Sequence, residues 1–416
     1  YPTGDMTAHI VGFTGVDDKG LEGVELAFQP SLIGRHGSRT VIRDRRGNIV
    51  EDIGALKPPQ DGKDIRLALD SKVQYLAYSQ LKAAVEKHKA KAGGAIVLDT
   101  RTGEILALVN LPSYNPNNRE HLSGAQLRNR AITDTFEPGS VMKPFTAALA
   151  LELGKVRPET VINCAPGKLS IGPATISDAH PHGALTVAQV VQKSSNVGTV
   201  KMALGFPPRD MWEMLDSVGF GQAPNLGFPG EVHGRLRPWK NWRPIEQATM
   251  SYGHGVAVSL IQLARAYAIF ARDGETVPLT LIRSDEPPAH GARVFSQQTA
   301  REIRTMLEMA VQPEGTAPKA RVPGYRVGGK TGTAYKIEGG VYVRKYIASF
   351  IGLAPIGDPR LVVAVMIDEP TGGAHYGGDV AGPVFSQIMG GSLRTLGIPP
   401  DDPLQVADAA AGKGRL

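Results

Sequence analysis

Two groups of strand-like apolar segments, far apart in the chain, limit its possible folds most strongly. Residues 94–110, GAIVLDTRTGEILALVN, read as two apolar strands around a turn at Gly103, which is a hairpin signal. Three further strand-like segments follow late in the chain, at 327–335, 346–355 and 360–370. The long region between these groups is richer in helical patterns. This order predicts an α+β fold, in which both ends of the domain form one antiparallel sheet and an all-helical part lies between them.

The chain divides into three stretches by composition. Residues 1–60 hold short apolar pieces broken by glycine and charge, and they predict a small β-rich module. Residues 54–63, GALKPPQDGK, are rich in proline and glycine and mark a linker or domain edge. We therefore expect a main domain over 61–400 and a disordered tail over 401–416.

The start and end of the main domain carry local structure signals. Residues 65–69 alternate apolar and polar side chains, which predicts a half-buried strand. Ser71 and Gln74 have the spacing of a capping box, and an amphipathic helix is expected to follow them. Residues 382–396, GPVFSQIMGGSLRTL, predict a final helix.

Charge and cysteine content exclude several classes of protein. The chain has 46 Lys plus Arg and 40 Asp plus Glu, a net charge of +6, with no run of like charge that would predict nucleic-acid binding. Cys164 is the only cysteine, so no intramolecular disulfide can form. No segment approaches the ~20 apolar residues of a membrane span. Because the chain opens at Tyr1 rather than at a methionine, we expect that an upstream segment was removed.

The stretch GYRVGGKTGTAY, residues 324–335, has two incompatible interpretations. Gly324, Gly329, Lys330 and Thr331 fit the spacing of a loop that cradles nucleotide phosphates. The shorter run beginning at Lys330 fits the K-T-G element of serine enzymes that react with penicillin. One interpretation gives an ATPase and the other gives an acyl transferase.

The surrounding sequence disfavours the phosphate loop. Such a loop must follow a buried strand and open a helix, because the helix N-terminus binds the phosphates. The residues before Gly324, EGTAPKARVP, do not read as a strand. Those after Thr331 contain further glycines and then more strand, which is typical of a hairpin.

The acyl-transferase interpretation needs a nucleophile beside a base, which S-x-x-K supplies on a helix because residues three apart share a face. Ser79 with Lys82 lies within the amphipathic helix and reads as a solvated face. Ser140 with Lys143 follows a Pro-Gly break and precedes an apolar helix, whose early proline places Ser140 at the helix start. A buried lysine one turn later would be pushed toward its neutral form. A plain N-cap serine is the alternative.

A third element, S-x-N, occurs twice. Ser113 and Asn115 lie in a loop between prolines, before Ser140. Ser194 and Asn196 lie between helical segments in the middle region, where helix capping alone could also explain them. The order S-x-x-K, S-x-N, K-T-G, with each motif on a suitable element, favours one shared site built from Ser140, the second S-x-N and the K-T-G strand.

These motifs resemble the penicillin-binding proteins, specifically the class B transpeptidases, over nearly the whole chain. YPTG at 1–4 and GLEGVE at 20–25 look like pieces of that family's N-terminal pedestal module. FEPGSVMKPF at 136–145 looks most like the cell-division branch, which makes septal peptidoglycan. The resemblance implies a penicillin-binding, serine β-lactamase-like transpeptidase domain after a pedestal remnant.

By that resemblance, Ser140 attacks the carbonyl between the last two D-alanines of a peptidoglycan stem peptide, and Lys143 accepts its proton. Ser194 relays protons with electrostatic support from Lys330, and Asn196 hydrogen-bonds a substrate amide. The resemblance implies that an amine on a neighbouring stem peptide then takes the acyl group, and that a β-lactam acylates the same serine and stays.

The same resemblance implies that the K-T-G strand binds the carboxylate of the substrate. Thr331 and Thr333 would contact it, and Gly332 would let the strand approach without a side chain. Backbone N–H groups of Ser140 and Thr333 would form the oxyanion hole. Tyr376, in GGAHYGG, is a candidate aromatic wall over the site, although an exposed loop tyrosine is the alternative.

We expect no cofactor and no metal, because His180 and His182 have no third ligand nearby in the sequence. The resemblance implies division-complex partners, including a glycan polymerase, and an N-terminal membrane anchor absent from this chain, which would hold the enzyme at the periplasmic face of a bacterial inner membrane. A β-lactamase, a carboxypeptidase and a penicillin sensor share such a site and remain alternatives at this point.

Overall fold

The computed structural model describes residues 1–286 and 290–402. Most of the stretch predicted as a tail, 401–416, therefore lies outside the described residues. Among the described residues, no helix combines the length and the apolar character needed to cross a membrane.

The first part of the chain contains short helices as well as strands: α1 (Ala8–Val11), β1 (Phe13–Thr14), β2 (Gly20–Glu22), α2 (Gly23–Ala27), α3 (Gln29–Leu32), β3 (Ser38–Arg43) and β4 (Ile49–Lys57). The strands form two separate antiparallel pairs, β1 with β2 and β3 with β4. The β3–β4 hairpin is exposed along most of its length. The helices, which the sequence analysis missed, are each only one turn long and too short to show a helical period.

The main domain begins with helix α4 (Ser71–Lys87), followed by the predicted hairpin of β5 (Ala92–Asp99) and β6 (Ile105–Leu111). The turn contains Gly103 at φ +74°, a conformation that glycine adopts without steric cost. The hairpin prediction is therefore confirmed.

Two local predictions near α4 are wrong. Residues 65–69 form no strand, and only an isolated bridge joins Leu67 to Ile282. The cap of α4 is Asp70, whose carboxylate accepts the N–H groups of Lys72 and Val73, because Asp70 rather than Ser71 has the extended backbone that an N-cap needs.

Gln74, the other half of the expected capping box, instead holds an edge strand. Its side-chain amide donates to the carbonyls of Leu108 and Met6 and accepts the N–H of Leu108, at 2.8–2.9 Å. The buried side chain thereby satisfies backbone groups of β6 that no neighbouring strand reaches.

Helices dominate the middle of the chain, as predicted, and short strand pairs that were not predicted lie among them. The elements are α5 (Gly124–Leu127), α6 (Arg130–Thr133), α7 (Lys143–Glu152), β7 (Val161–Asn163), β8 (Lys168–Ile171), β9 (Ala174–Ser177), β10 (Ala184–Thr186), α8 (Val187–Lys193), α9 (Asn196–Ala203), α10 (Pro208–Ser217), α11 (Pro244–Ser251), α12 (Leu260–Ala271) and α13 (Gln297–Val311). The small pairs are β7 with β10 and β8 with β9.

The late strands complete one sheet with the early hairpin. They are β11 (Gly328–Glu338), β12 (Val341–Ala354) and β13 (Leu361–Asp368), and helices α14 (Gly377–Val380) and α15 (Gly382–Thr395) follow. The strand order is β11-β12-β13-β5-β6, and every neighbouring pair is antiparallel. The predicted α+β architecture, with a sheet made from both ends of the domain, is confirmed.

The sheet is buried on both faces, which explains its nearly continuous apolar strands. On β5, Ile96 and Leu98 belong to a core shared with the helical part of the chain, including α7 and α12. Ala95 and Val97 point the other way and pack with residues of α4 and α15. The helical part therefore lies against one face of the sheet, and β11 forms the edge next to it.

Candidate active site

Ser140 lies in a tight turn that is fixed at both ends. Residues Gly139–Met142 form a 3₁₀ turn that continues directly into α7, with Pro144 as the second residue of the helix. Gly139 has φ +60° and donates its N–H to the carbonyl of Gly253 at 3.1 Å. Because α7 is almost wholly buried, it anchors Ser140 at the edge of the core while the serine itself stays partly accessible.

Lys143 is a buried lysine that contacts Ser194. Its side chain is 1% exposed, and Nζ donates to the carbonyl oxygen of Ser194 at 2.5 Å and to the Ser194 hydroxyl at 3.0 Å. Burial lowers the pKa of Lys143 well below its ordinary value, and the charge of Lys330 lowers it further, while Asp178 opposes both. The lowered pKa favours the neutral amine, which is the form that can accept a proton.

Ser194 and Asn196 lie at the junction of two helices. Ser194 ends α8 in the left-handed region at φ +61°, which turns the chain sharply into α9. Ser195 is the N-cap of α9 and accepts the N–H of Gly198 with its side chain, whereas Ser194 is the C-cap of α8. The Asn196 amide donates to the carbonyl of Ser177 at 2.8 Å.

The strand β11 brings the K-T-G residues to the same place. Lys330 is completely buried, its Nζ donates to the Thr331 hydroxyl at 3.1 Å, and burial lowers its pKa to about 7. The hydroxyl of Thr333 accepts the N–H of Gly377 at 3.0 Å and keeps its own proton free to donate. A Cβ on Gly332 would lie 2.3 Å from Ser349 Oγ and 2.9 Å from the Pro138 carbonyl oxygen, so only glycine lets the Ser140 turn pack here.

The predicted residues converge on one cavity of about 980 Å³. Its lining includes most of the predicted site: Ser140, Lys143, Ser194, Asn196, Thr331, Thr333 and Tyr376. Lys330 lies behind Thr331, close enough to shift the pKa of Lys143. The structure thus brings residues of all three motifs to one cavity.

Tyr376 belongs to a row of aromatic rings at the mouth of this cavity. Its ring lies 4.4 Å from that of His375, which in turn stacks on Tyr346 at 4.3 Å. Tyr346 continues the row to Tyr335 at 4.9 Å. Tyr376 is 57% exposed. It therefore fits both alternatives, an aromatic wall over the site and an exposed loop tyrosine.

Asp178 and Thr316 are among the cavity residues that the sequence analysis did not single out. Asp178 follows β9, and its carboxylate accepts the Ser195 hydroxyl at 2.8 Å and the N–H of Val197 at 2.9 Å, which fixes the backbone on both sides of Asn196. Thr316 accepts the hydroxyl of Thr331 at 3.3 Å and lines the cavity. Neither belongs to a spacing motif, and only the DAHPH stretch, considered for its histidines, pointed near Asp178.

The rival motif copies lie elsewhere. The Ser79 hydroxyl donates to its own helix at Leu76, and Lys82 lies over the ring of Tyr78. Ser113 donates to the carbonyl of Asp5. The phosphate-loop interpretation is wrong, because Lys330 and Thr331 lie inside β11 where that loop would require a helix start.

His180 and His182 both lie on the rim of the cavity. Over residues 1–286 and 290–402, no group of three or more His, Cys, Asp or Glu side chains is arranged to hold a metal ion.

Comparisons with known proteins agree with this arrangement. Residues 93–390 match the model of the penicillin binding protein transpeptidase domain, and residues 1–67 match that of the penicillin-binding protein dimerisation domain. The chain is 50% identical to the probable peptidoglycan D,D-transpeptidase PenA of Neisseria gonorrhoeae, over 98% of this chain and 70% of that protein. It is 44% identical to the peptidoglycan D,D-transpeptidase FtsI of Escherichia coli K12, over 96% of this chain and 68% of that protein.

A solved structure gives the same result for the fold. The apo transpeptidase domain of penicillin-binding protein 3 from Burkholderia pseudomallei is 56% identical, with a TM-score of 0.75 over 81% of this chain and 98% of that one.

Proposed function

Because the chain belongs to the penicillin-binding protein transpeptidase family, we propose that Ser140 is the nucleophile of its reaction and Lys143 the base. The chain is a serine-type peptidoglycan D,D-transpeptidase, which cross-links the stem peptides of peptidoglycan. The observation that best supports the residue assignment is Lys143 itself. It is a buried lysine of lowered pKa, hydrogen-bonded to Ser194 and lining the cavity that Ser140 shares.

In the first half of the reaction, Lys143 takes the proton of the Ser140 hydroxyl as Oγ attacks the carbonyl between two D-alanines. The backbone N–H groups of Ser140 and Thr333 hold the developing oxyanion, which contributes several kcal/mol when donors are preorganised. The proton then passes from Lys143 through Ser194 to the departing D-alanine, in keeping with the hydrogen bond between these two side chains.

Substrate binding falls to the remaining residues. Thr331 and Thr333 hold the terminal carboxylate through their hydroxyls, and Lys330 supplies positive charge directly behind them. Asn196 binds a backbone amide of the donor peptide, with its own amide group oriented by the carbonyl of Ser177. Gly332 permits the close contact between β11 and the Ser140 turn. Tyr376 covers the cavity mouth.

In the second half, the amine of a neighbouring stem peptide takes the acyl group from Ser140. A β-lactam undergoes only the first half of the reaction: it acylates Ser140 and remains attached to it. The family implies both peptidoglycan and β-lactams as ligands.

We infer the cellular role from the resemblance to the cell-division branch. We place the enzyme in septal wall synthesis during cell division, at the periplasmic face of the inner membrane, with division-complex proteins and a glycan polymerase as partners. Residues 1–60 would be the pedestal remnant and 61–400 the transpeptidase domain. The match of 1–67 to the dimerisation-domain model supports a separate role for the first stretch.

The alternatives with the same site, a penicillin sensor and a β-lactamase, differ in the fate of the acyl group. The test is incubation of the purified chain with a stem-peptide donor and an amine acceptor, followed by mass analysis of the products. A transpeptidase forms the cross-linked product. Exclusive hydrolysis of the donor, or an acyl-enzyme that never transfers, would rule the proposed reaction out.

A further inference from the structure

His254 is an imidazole in the catalytic cavity that the mechanism above does not use. It lines the cavity together with Ser140 and Lys143. Its Nδ1 is buried and has no hydrogen-bond partner among the described residues. Buried polar atoms are nearly always paired, and an unpaired one at a functional site indicates a group that waits for a ligand or a proton.

The loop that carries His254 is fastened to the nucleophile's own segment by a hydrogen bond on either side of the histidine. The carbonyl of Gly253 accepts the N–H of Gly139 at 3.1 Å, and Gly255 donates its N–H to the Glu137 carboxylate at 2.7 Å. Any movement of the Ser140 turn therefore moves His254 with it, and the ring keeps a fixed position relative to the nucleophile.

Aromatic neighbours fix the ring from both sides. The imidazole centroid lies 5.1 Å from the ring of Tyr252 and 6.0 Å from that of Tyr342. The Tyr342 hydroxyl donates to Glu137 at 2.9 Å, so the β11–β12 hairpin is tied into the same assembly. These contacts hold the imidazole in place at the cavity, which is the arrangement expected of a preorganised functional group.

Burial favours the neutral form of the ring, while the charged and titratable groups around it act in both directions. They are Glu137 before the nucleophile, Lys143 on α7, Tyr252 on the same loop and Tyr342 on β12. Burial lowers the pKa of His254 below its ordinary value; Glu137 opposes this change and Lys143 adds to it. Because a proton on Lys143 disfavours one on His254, the two bases avoid being charged together.

We propose that His254 is the base of the second half-reaction, in which it takes a proton from the amine that attacks the acyl-enzyme. The amine nitrogen forms a bond to the ester carbonyl carbon, and the bond from that carbon to Ser140 Oγ breaks. The proton lost by the nitrogen passes to His254, and by way of Lys143 to the departing Ser140 oxygen, which leaves both bases neutral. This role rests on the proposed transpeptidase function. It assigns His254 to the second half-reaction and not to the first.

The test separates acylation from acyl transfer. His254→Gln removes the titrating group, His254→Phe keeps the ring contacts with Tyr252 and Tyr342, and His36→Gln is the control at an exposed histidine outside the site. The rate of acylation by penicillin is measured by intact mass. A thioester analogue of the donor peptide then forms the acyl-enzyme, whose partition between water and added D-alanine is measured.

Both His254 variants should be acylated by penicillin within about threefold of the parent chain, which also shows that they fold. The ratio of aminolysis to hydrolysis should fall at least about tenfold, since general base catalysis contributes ~10²–10⁴. With methoxyamine as the acceptor, which stays unprotonated over the range used, the parent rate should decline as the pH falls through the pKa of His254, and this decline should vanish in both variants.

An unchanged partition ratio, or a parallel loss of acylation and transfer, would overturn the role of His254. Failure of the proposed function is a different result, because the parent chain itself would then form no acyl-enzyme or transfer nothing to the amine.

Discussion

At the scale of single residues, the site depends on two lysines that the fold keeps out of water. Lys143 and Lys330 are 1% and 0% exposed, although lysine is rarely buried without a charged partner. Burial lowers the pKa of both, and in Lys143 this favours the neutral amine that its proposed role as a base requires. Their burial costs stability, which is expected where function and folding make opposite demands.

Lys330→Met should therefore stabilise the chain while it slows acylation. The folded-state pKa of Lys330, about 7, lies below its ordinary value of 10.5, so the unfolded chain binds the extra proton between these values. The cost of burial is full below pH 7 and fades as the pH rises toward 10.5. Thermal unfolding should show a higher Tm for the variant, with a larger gain at pH 6 than at pH 9. A lower Tm at both pH values would contradict this explanation.

Asp178→Asn tests the carboxylate that fixes the S-x-N segment. Asp178 raises the pKa of Lys143, so its neutralisation should move the acid limb of penicillin acylation to lower pH. Weaker hydrogen bonds to Ser195 and Val197 should also reduce the plateau rate about tenfold, for a loss of ~1–2 kcal/mol. Asp61→Asn, at an exposed aspartate, is the control. A limb that moves to higher pH would show that Asp178 does not act on Lys143.

At the scale of elements, catalysis depends on close packing between the edge strand β11 and the turn that carries Ser140. The contact is made through Gly332, where there is no room for a side chain between the strand and Pro138. The same edge strand supplies Thr331 and Thr333, so its position fixes both the proposed nucleophile and the proposed carboxylate site.

Gly332→Ala should separate activity from folding. The new methyl group would lie 2.9 Å from the backbone carbonyl oxygen of Pro138, so the Ser140 turn or the strand must shift. A displacement near 1 Å at a reacting atom costs on the order of 100-fold in rate. We expect a loss of that size in penicillin acylation, measured by intact mass against time. Gly183→Ala, where a Cβ meets nothing within 4 Å, should change little, and equal rates for the two variants would contradict the packing argument.

The elements also show why the sequence was informative in some places and not in others. Apolar strands and the apolar helix after Ser140 have patterns fixed by their own burial, so their positions could be predicted. Asp178, Thr316 and Gln74 act on partners far away in the chain, and no local pattern records such contacts. The cap at Asp70 was missed because the neighbouring Ser71 satisfied the same pattern, and the one-turn helices before residue 60 were missed because they are too short to show a helical period.

At the scale of the whole molecule, the N-terminal stretch packs closely against the main domain. Tyr114 is 3% exposed, donates its hydroxyl to the carbonyl of Ala8 and contacts the rings of His9 and Phe13. Ile10 also belongs to the large core shared by the sheet and the helices. The boundary near residue 60 stays a prediction. It would divide two stretches that have different functions but pack together in one structure.

Tyr114→Ala should weaken both parts together. Removal of a buried aromatic side chain costs ~3–5 kcal/mol, and the cavity would lie where the two parts meet. Urea unfolding, monitored both by fluorescence and by penicillin labelling, should show a single transition whose midpoint lies at a lower urea concentration than in the parent chain. If labelling survived to the parent's midpoint while the fluorescence transition moved, the two stretches would be independent units.

Intact-mass analysis after exposure to labelled penicillin tests the central claim, that Ser140 is deprotonated by Lys143 within this cavity. We predict one adduct per chain, located at Ser140, no adduct with Ser140→Ala, and acylation slowed at least about 100-fold with Lys143→Ala. An adduct on another residue, or a Ser140→Ala chain that labels as fast as the parent, would contradict the assignment.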